Sequence, residues 1–144
     1  MRLIPAKVSN ATLYAPASYV AAPPEVRRLA TNGCGTDGWK GAIVPETMYG
    51  LDVSPACNIH DWMYVAGETI ADKDEADRAF LNNLLRLIEA CGGPGWLGWL
   101  RRRRARIYYE AVRLFGGPAF WRRKNPPETL ITAAEAANQG ASHG

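Results

Sequence analysis

Residues 54–66 read Ser-Pro-Ala-Cys-Asn-Ile-His-Asp-Trp-Met-Tyr-Val-Ala, and residues 70–91 read Ile-Ala-Asp-Lys-Asp-Glu-Ala-Asp-Arg-Ala-Phe-Leu-Asn-Asn-Leu-Leu-Arg-Leu-Ile-Glu-Ala-Cys. Ser54-Pro55 is a helix start: serine can cap the first amides, and proline is favoured at the first helical position. The first helix is expected over about 55–66, stopping near Gly67. A second start signal lies around Asp72. Beyond it Ala76, Phe80, Leu81, Leu84, Leu85 and Ile88 fall at helical spacing as far as Cys91, where Gly92-Gly93-Pro94 ends the run. The link between the two is short, so the helices are expected as antiparallel neighbours.

This pair carries the chemistry. His60 and Tyr64 are four residues apart and share a helix face. Asp61 points about 100° away from them and, off that axis, could bind a cation. Asp77 sits on the apolar stripe of the second helix, and a carboxylate buried there is costly unless something pairs with it. An antiparallel hairpin brings His60 level with Asp77, with Tyr64 close enough to donate its hydroxyl. Neutral His60 could then take a proton from water with one ring nitrogen, while Asp77 fixes the tautomer through the other.

Outward from this pair, Asn32-Gly33-Cys34-Gly35-Thr36-Asp37-Gly38 has three glycines in seven residues and reads as a loop with unusual backbone angles. Its carbonyls are hard oxygen donors able to converge on one ion, as Ca²⁺ requires. Residues 39–53 read as irregular, and Pro24 to Ala30 as a short helix. Residues 1–24, rich in Ala, Pro and small polar groups, read as an extended N-terminal arm packing on a surface or a partner. An additional C-terminal helix is expected from about Gly95 to Phe115. Residues 25–124 are expected to form the domain, and 125–144, after Asn125-Pro126-Pro127, a flexible tail, poorly ordered or ordered only against a partner. The fold class is mainly α.

With 144 residues and 47% apolar content, the chain can build one core. No apolar run approaches the roughly 20 residues needed to span a bilayer. The first 22 residues lack the continuous apolar stretch of a secretory signal. The net charge of +3 is modest but unevenly spread: Arg101, Arg102, Arg103, Arg104 and Arg106 cluster, followed by Arg122, Arg123 and Lys124. This points the C-terminal half towards an anionic partner. Of the three cysteines, one disulfide plus one thiol and three thiols are both compatible with the count.

The stretch from Asn32 to about Leu84 resembles the phospholipase A2 superfamily. The family's active-site helix, Cys-x-x-His-Asp-x-x-Tyr, is matched by Cys57, His60, Asp61 and Tyr64. Its Cys-Gly calcium loop is matched by Cys34-Gly35 with Gly38, and its Asp-Arg-Ala stretch by Asp77-Arg78-Ala79. The resemblance implies His60 as general base, Asp77 and Tyr64 as its support, and Asp61 with the carbonyls of Gly33, Gly35 and Asp37 as calcium ligands. It also implies a Cys34–Cys57 disulfide. A second bridge of the animal enzymes would fall at Met63 and Ala76, neither a cysteine. Gly33 stands where the family has an aromatic, and Asp37 where it has a glycine. The short step from His60 to Asp77 is similar to the compact bacterial, fungal and viral branches.

A lipase must reach aggregated lipid. Trp96 and Trp99 followed by Arg101 and Arg102 suit a headgroup interface, since tryptophan favours that layer and arginine binds phosphate bidentately. The same residues, with Leu100, Ile107 and Leu114, equally read as core beside a solvated arginine face. Nucleic acid is the less favoured partner. The expected function is a calcium-dependent phospholipase A2 at a phospholipid membrane surface, extracellular or particle-associated and delivered by a larger protein assembly through the arm and tail. A catalytically silent structural or adaptor protein on the same scaffold, and a basic membrane-disrupting protein, are the alternatives.

Overall fold

A computed structural model describes residues 1–30, 45 and 47–121. The described chain is mainly helical. It runs β1 (Leu3–Val8), β2 (Ala11–Pro16), α1 (Ala17–Ala21), α2 (Pro24–Ala30), β3 (Thr47–Met48), β4 (Leu51–Asp52), α3 (Ser54–Ala66), α4 (Ile70–Cys91), α5 (Gly95–Phe115) and α6 (Gly117–Phe120). The glycine-rich segment with Gly33, Cys34, Gly35 and Asp37, and the tail at 125–144, lie outside the described residues.

The 22-residue α4 is the spine, packing against α3, α5 and β2. It starts at Ile70, two residues before Asp72, around which the start signal lies. Thr69 is the N-cap: its hydroxyl accepts from the Asp72 amide at 3.0 Å, and Asp72 Oδ2 accepts from the Thr69 amide at 3.1 Å. Asp72 thus closes a reciprocal capping box from the third helical position rather than opening the helix. The start of α3 also differs. Ser54 lies inside the helix and donates, from its amide at 2.9 Å and its hydroxyl at 2.6 Å, to Asp52 Oδ1.

Buried positions on α4 include Ala76, Phe80, Leu84 and Ile88, and Ala56, Ile59 and Met63 of α3 join them in the core. Burying a side chain such as Phe80 stabilises the fold by about 1.5–3 kcal/mol. Met63 and Ala76, where a second bridge would fall in the animal enzymes, are both fully buried.

The N-terminal stretch, expected as an extended arm, is a β-hairpin over residues 3–16 followed by the short α1. β1 and β2 pair antiparallel from Leu3↔Pro16 to Val8↔Ala11. Ala11, Leu13 and Ala15 alternate inward onto the core while Thr12 and Tyr14 face outward. Asn10 Nδ2 ties the hairpin turn to the Ala90 carbonyl at 2.8 Å. Of the two surfaces expected for this stretch, the domain or a partner, the hairpin packs on α4 of the domain.

Residues 39–53, read as irregular, contain a small hairpin. Thr47↔Asp52 and Met48↔Leu51 pair around Tyr49-Gly50, whose φ angles are 50° and 82°. Two positive angles make the twist-compatible two-residue turn, which glycine adopts readily and tyrosine does not. The turn is held from α5 by Arg101, whose guanidinium donates to the Met48 and Tyr49 carbonyls.

Candidate active site

α3 and α4 deliver four polar side chains to one point inside the core. His60 and Tyr64 lie one turn apart on α3, and Lys73 and Asp77 one turn apart on α4. His60 Nε2 is 2.8 Å from Asp77 Oδ1, and the Tyr64 hydroxyl donates to the same oxygen at 2.6 Å. Lys73 Nζ donates to Asp77 Oδ2 at 2.7 Å. His60 and Asp77 have no solvent-exposed surface, and Tyr64 and Lys73 have little.

The electrostatics follow from this packing. Burial pushes the Asp77 carboxyl up, but the hydrogen bond and charge of His60, then the hydrogen bonds of Lys73 and Tyr64, outweigh it and hold the group below the ordinary carboxylate value. Asp77 is therefore an anion with acceptors only, so the proton on the His60–Asp77 bond belongs to Nε2. In the neutral form of His60, Nδ1 is then the nitrogen left to accept a proton. Burial, and then the charge of Asp77, push the Tyr64 hydroxyl up, which keeps it a donor.

Aromatic rings frame the imidazole. The His60 centroid is 4.1 Å from that of Tyr64 and 4.7 Å from that of Phe80. Phe120 of α6 meets the Tyr64 ring edge-on at 5.2 Å. These contacts fix the ring planes, and with them the direction of Nδ1.

The structure thus brings together His60, Tyr64 and Asp77. Asp61, the next residue on α3, is half-buried. A carboxylate is a suitable hard donor for Ca²⁺, but one is not enough for an ion that takes six to eight oxygens. The expected loop donors, Gly33, Gly35 and Asp37, lie outside the described residues, and no group of three or more His, Cys, Asp or Glu side chains among the described residues could hold a metal. Cys57 is fully buried in the first turns of α3, and its expected partner Cys34 lies outside the described residues; Cys91 is a free, exposed thiol.

Lys73 stands outside the residues expected from the sequence, and Arg101, expected to face lipid, turns inward. Lys73 is eleven residues before Leu84 and seven before Phe80, on the stripe that turns inward. Arg101 shares its inward stripe on α5 with Gly98, Ala105, Tyr108 and Val112. Helical spacing marked both positions as buried, the signal that singled out Asp77.

Arg101 also corrects the expected lipid-facing set. It is 6% exposed, with its guanidinium on Met48, Tyr49 and the Cys91 sulfur, so it cannot reach a headgroup. Trp96 and Trp99 are 65% and 58% exposed. Arg102 and Arg103 are exposed beside them, with Arg103 5.9 Å from the Trp99 ring centre. No described helix is long and apolar enough to cross a membrane. No family model matches the chain, and neither a curated protein nor a solved structure does.

Proposed function

We propose that this protein is a calcium-dependent phospholipase A2 that hydrolyses the sn-2 ester of glycerophospholipids. The observation that carries the reading is the buried His60–Asp77 hydrogen bond with Tyr64 on the same carboxylate oxygen. On this reading α3 and α4 are the antiparallel, site-bearing pair.

His60 Nδ1 takes a proton from water as its oxygen attacks the ester carbonyl carbon. Asp77 accepts the Nε2–H bond throughout and stabilises the imidazolium. The imidazolium then returns the proton to the glycerol oxygen as the carbon–oxygen bond breaks, leaving a fatty acid and a lysophospholipid. Asp61, with the carbonyls of Gly33, Gly35 and Asp37, would hold the calcium ion, which supplies positive charge to polarise the ester carbonyl. A Cys34–Cys57 disulfide would tie that loop to α3.

The lipid surface is assigned to α5. Besides Trp96 and Trp99, Ile107 and Leu114 are exposed at spacings that place all four on one outward face. Arg102, Arg103 and Arg106 are exposed along it. Such a helix lies in the plane of an anionic interface. Delivery by a larger particle belongs to the same proposal.

One observation favours the alternative of a silent scaffold: the His60 ring has no exposed surface. A base must meet water, so turnover requires access that opens at the lipid interface. Fatty-acid release from mixed phospholipid vesicles decides between the readings. Release with calcium that is abolished by chelator and by His60→Gln is expected; its absence from folded protein would assign the site to structure. Retained release in His60→Gln would remove this histidine from the chemistry.

A further inference from the structure

We propose that Lys73 is a positioning residue of the site, orienting the Asp77 carboxylate towards His60 and fastening the last turn of α5 to it; the catalytic part of this rests on the hydrolytic reading above. An ammonium has three N–H donors and no acceptor. Here three acceptors surround it: Asp77 Oδ2 at 2.7 Å, the Val112 carbonyl at 3.3 Å and the Arg113 carbonyl at 3.2 Å. The lysine is 8% exposed, so these contacts are made away from bulk water, where each is electrostatically stronger.

The two ends of this contact do different things. At the carboxylate, Lys73 holds Oδ2 while Tyr64 and His60 share Oδ1. Donors on both oxygens fix the carboxylate plane, and with it the line from Oδ1 to Nε2. Without the ammonium, the carboxylate can rotate and Oδ2 loses a charge-assisted partner in the core. At the other end, Val112 and Arg113 lie in the last turn of α5, whose carbonyls carry the negative end of the helix dipole. One cation therefore joins two negative groups, on different helices, that would otherwise repel. The Tyr64 ring, 5.8 Å from Nζ, closes a further side of the ammonium.

A lysine that only satisfied α5 would contribute to stability and leave turnover alone. A positioning lysine changes the His60–Asp77 bond itself. The test uses the full chain with Lys73→Met, which keeps the length and apolar stem and removes the donors. Asn83→Leu, elsewhere on α4, is the comparison for stability loss without contact with the site. Three quantities are read: urea stability, the downfield proton resonance of His60 Nε2–H, and kcat and KM on phospholipid vesicles with calcium. Asp77→Ala, which removes the acceptor, supplies the reference spectrum for a broken bond.

In Lys73→Met the downfield resonance is expected to shift or vanish. Its kcat is expected to fall about 10- to 100-fold, the range set by one hydrogen bond to a charged group, with KM within about twofold. An unmoved resonance, with kcat equal to that of Asn83→Leu, overturns the proposal and makes Lys73 a structural cap of α5. If Lys73→Met does not fold, Lys73→Gln, which keeps a donor but no charge, is read in the same way. If the wild-type protein releases no fatty acid, the hydrolytic reading has failed and the resonance alone decides: its loss in the variant supports the orienting role, and its persistence overturns it.

Discussion

The side-chain amide of Asn83 pairs with both backbone groups of Tyr14, accepting from its N–H at 2.8 Å and donating to its carbonyl at 2.9 Å. A fully buried residue of α4 thereby does for β2 what a neighbouring strand would do, and fastens the N-terminal hairpin to the helical core. Asn83→Leu keeps the volume and leaves two backbone groups without these partners. Stranding a buried polar group costs about 1–3 kcal/mol, so the variant is expected to lose about 2–4 kcal/mol in urea denaturation. Hydrogen exchange at Tyr14 should quicken. Unchanged exchange there would show that the hairpin is held by Leu13 and its alanine neighbours alone.

A second prediction concerns the turn between α3 and α4. A Cβ built on Gly67 would lie 2.8 Å from Phe120 Cε1 and 2.9 Å from the Met63 carbonyl. The carbonyl belongs to α3, and Phe120 is fully buried against Tyr64, so neither gives way cheaply. Gly67→Ala is expected to destabilise by about 1–3 kcal/mol, the usual cost of overpacking. It should also disturb the Tyr64–Phe120 ring contact, seen as a changed near-ultraviolet circular dichroism spectrum. A variant as stable as the parent would place Phe120 elsewhere in solution.

The acid limb of stability follows from Asp77. Its folded carboxyl is held below its ordinary value of 3.8. The stabilisation is fully present above that value and is lost as pH falls through the lower folded value. Asp72, held down chiefly by the Glu68 amide, has the same sign. Urea midpoints should thus fall below about pH 4, and Asp77→Asn should flatten part of that slope while Asp72 keeps the rest. At neutral pH the same variant leaves Lys73 buried without its carboxylate, a change that typically costs about 3–5 kcal/mol. An identical slope in Asp77→Asn would exclude Asp77 as a source of the acid sensitivity.

The meeting of His60, Tyr64 and Asp77 was legible in the sequence because two quantities determined it: helical period along each segment, and a link too short to let the helices drift apart. The N-terminal hairpin was not. Two of its inward residues are Ala11 and Ala15, which contribute little hydrophobic contrast, and proline, present at positions 5 and 16, is depleted in strands. The Tyr49-Gly50 turn was hidden because its first residue is tyrosine, where asparagine or aspartate gives the usual signal. Lys73 and the inward turn of Arg101 were less legible, because an exposed amphipathic face is the common setting for such residues and most of their partners, the carbonyls of Met48, Tyr49, Val112 and Arg113, are backbone groups that no side-chain pattern announces; the Lys73–Asp77 pair, four residues apart on α4, is the side-chain cue.

The two faces of α5 yield the last prediction. Arg101, turned inward, holds the β3–β4 turn and touches the Cys91 sulfur at 3.4 Å. Trp96 and Trp99, turned outward, are more than half exposed. The two kinds of residue should therefore fail in opposite assays. Arg101→Ala strands two carbonyls and is expected to lower stability by about 1–3 kcal/mol, with vesicle binding per folded molecule unchanged. The pair Trp96→Ala and Trp99→Ala removes exposed rings, so stability should stay within about 0.5 kcal/mol. Partitioning onto anionic vesicles should fall about tenfold or more as two interfacial anchors are lost. Sedimentation with vesicles of mixed zwitterionic and anionic phospholipid measures the second quantity, and thermal denaturation the first. If the tryptophan pair binds vesicles like the parent while Arg101→Ala does not, the lipid-facing surface lies elsewhere and the arginine acts through the turn it holds.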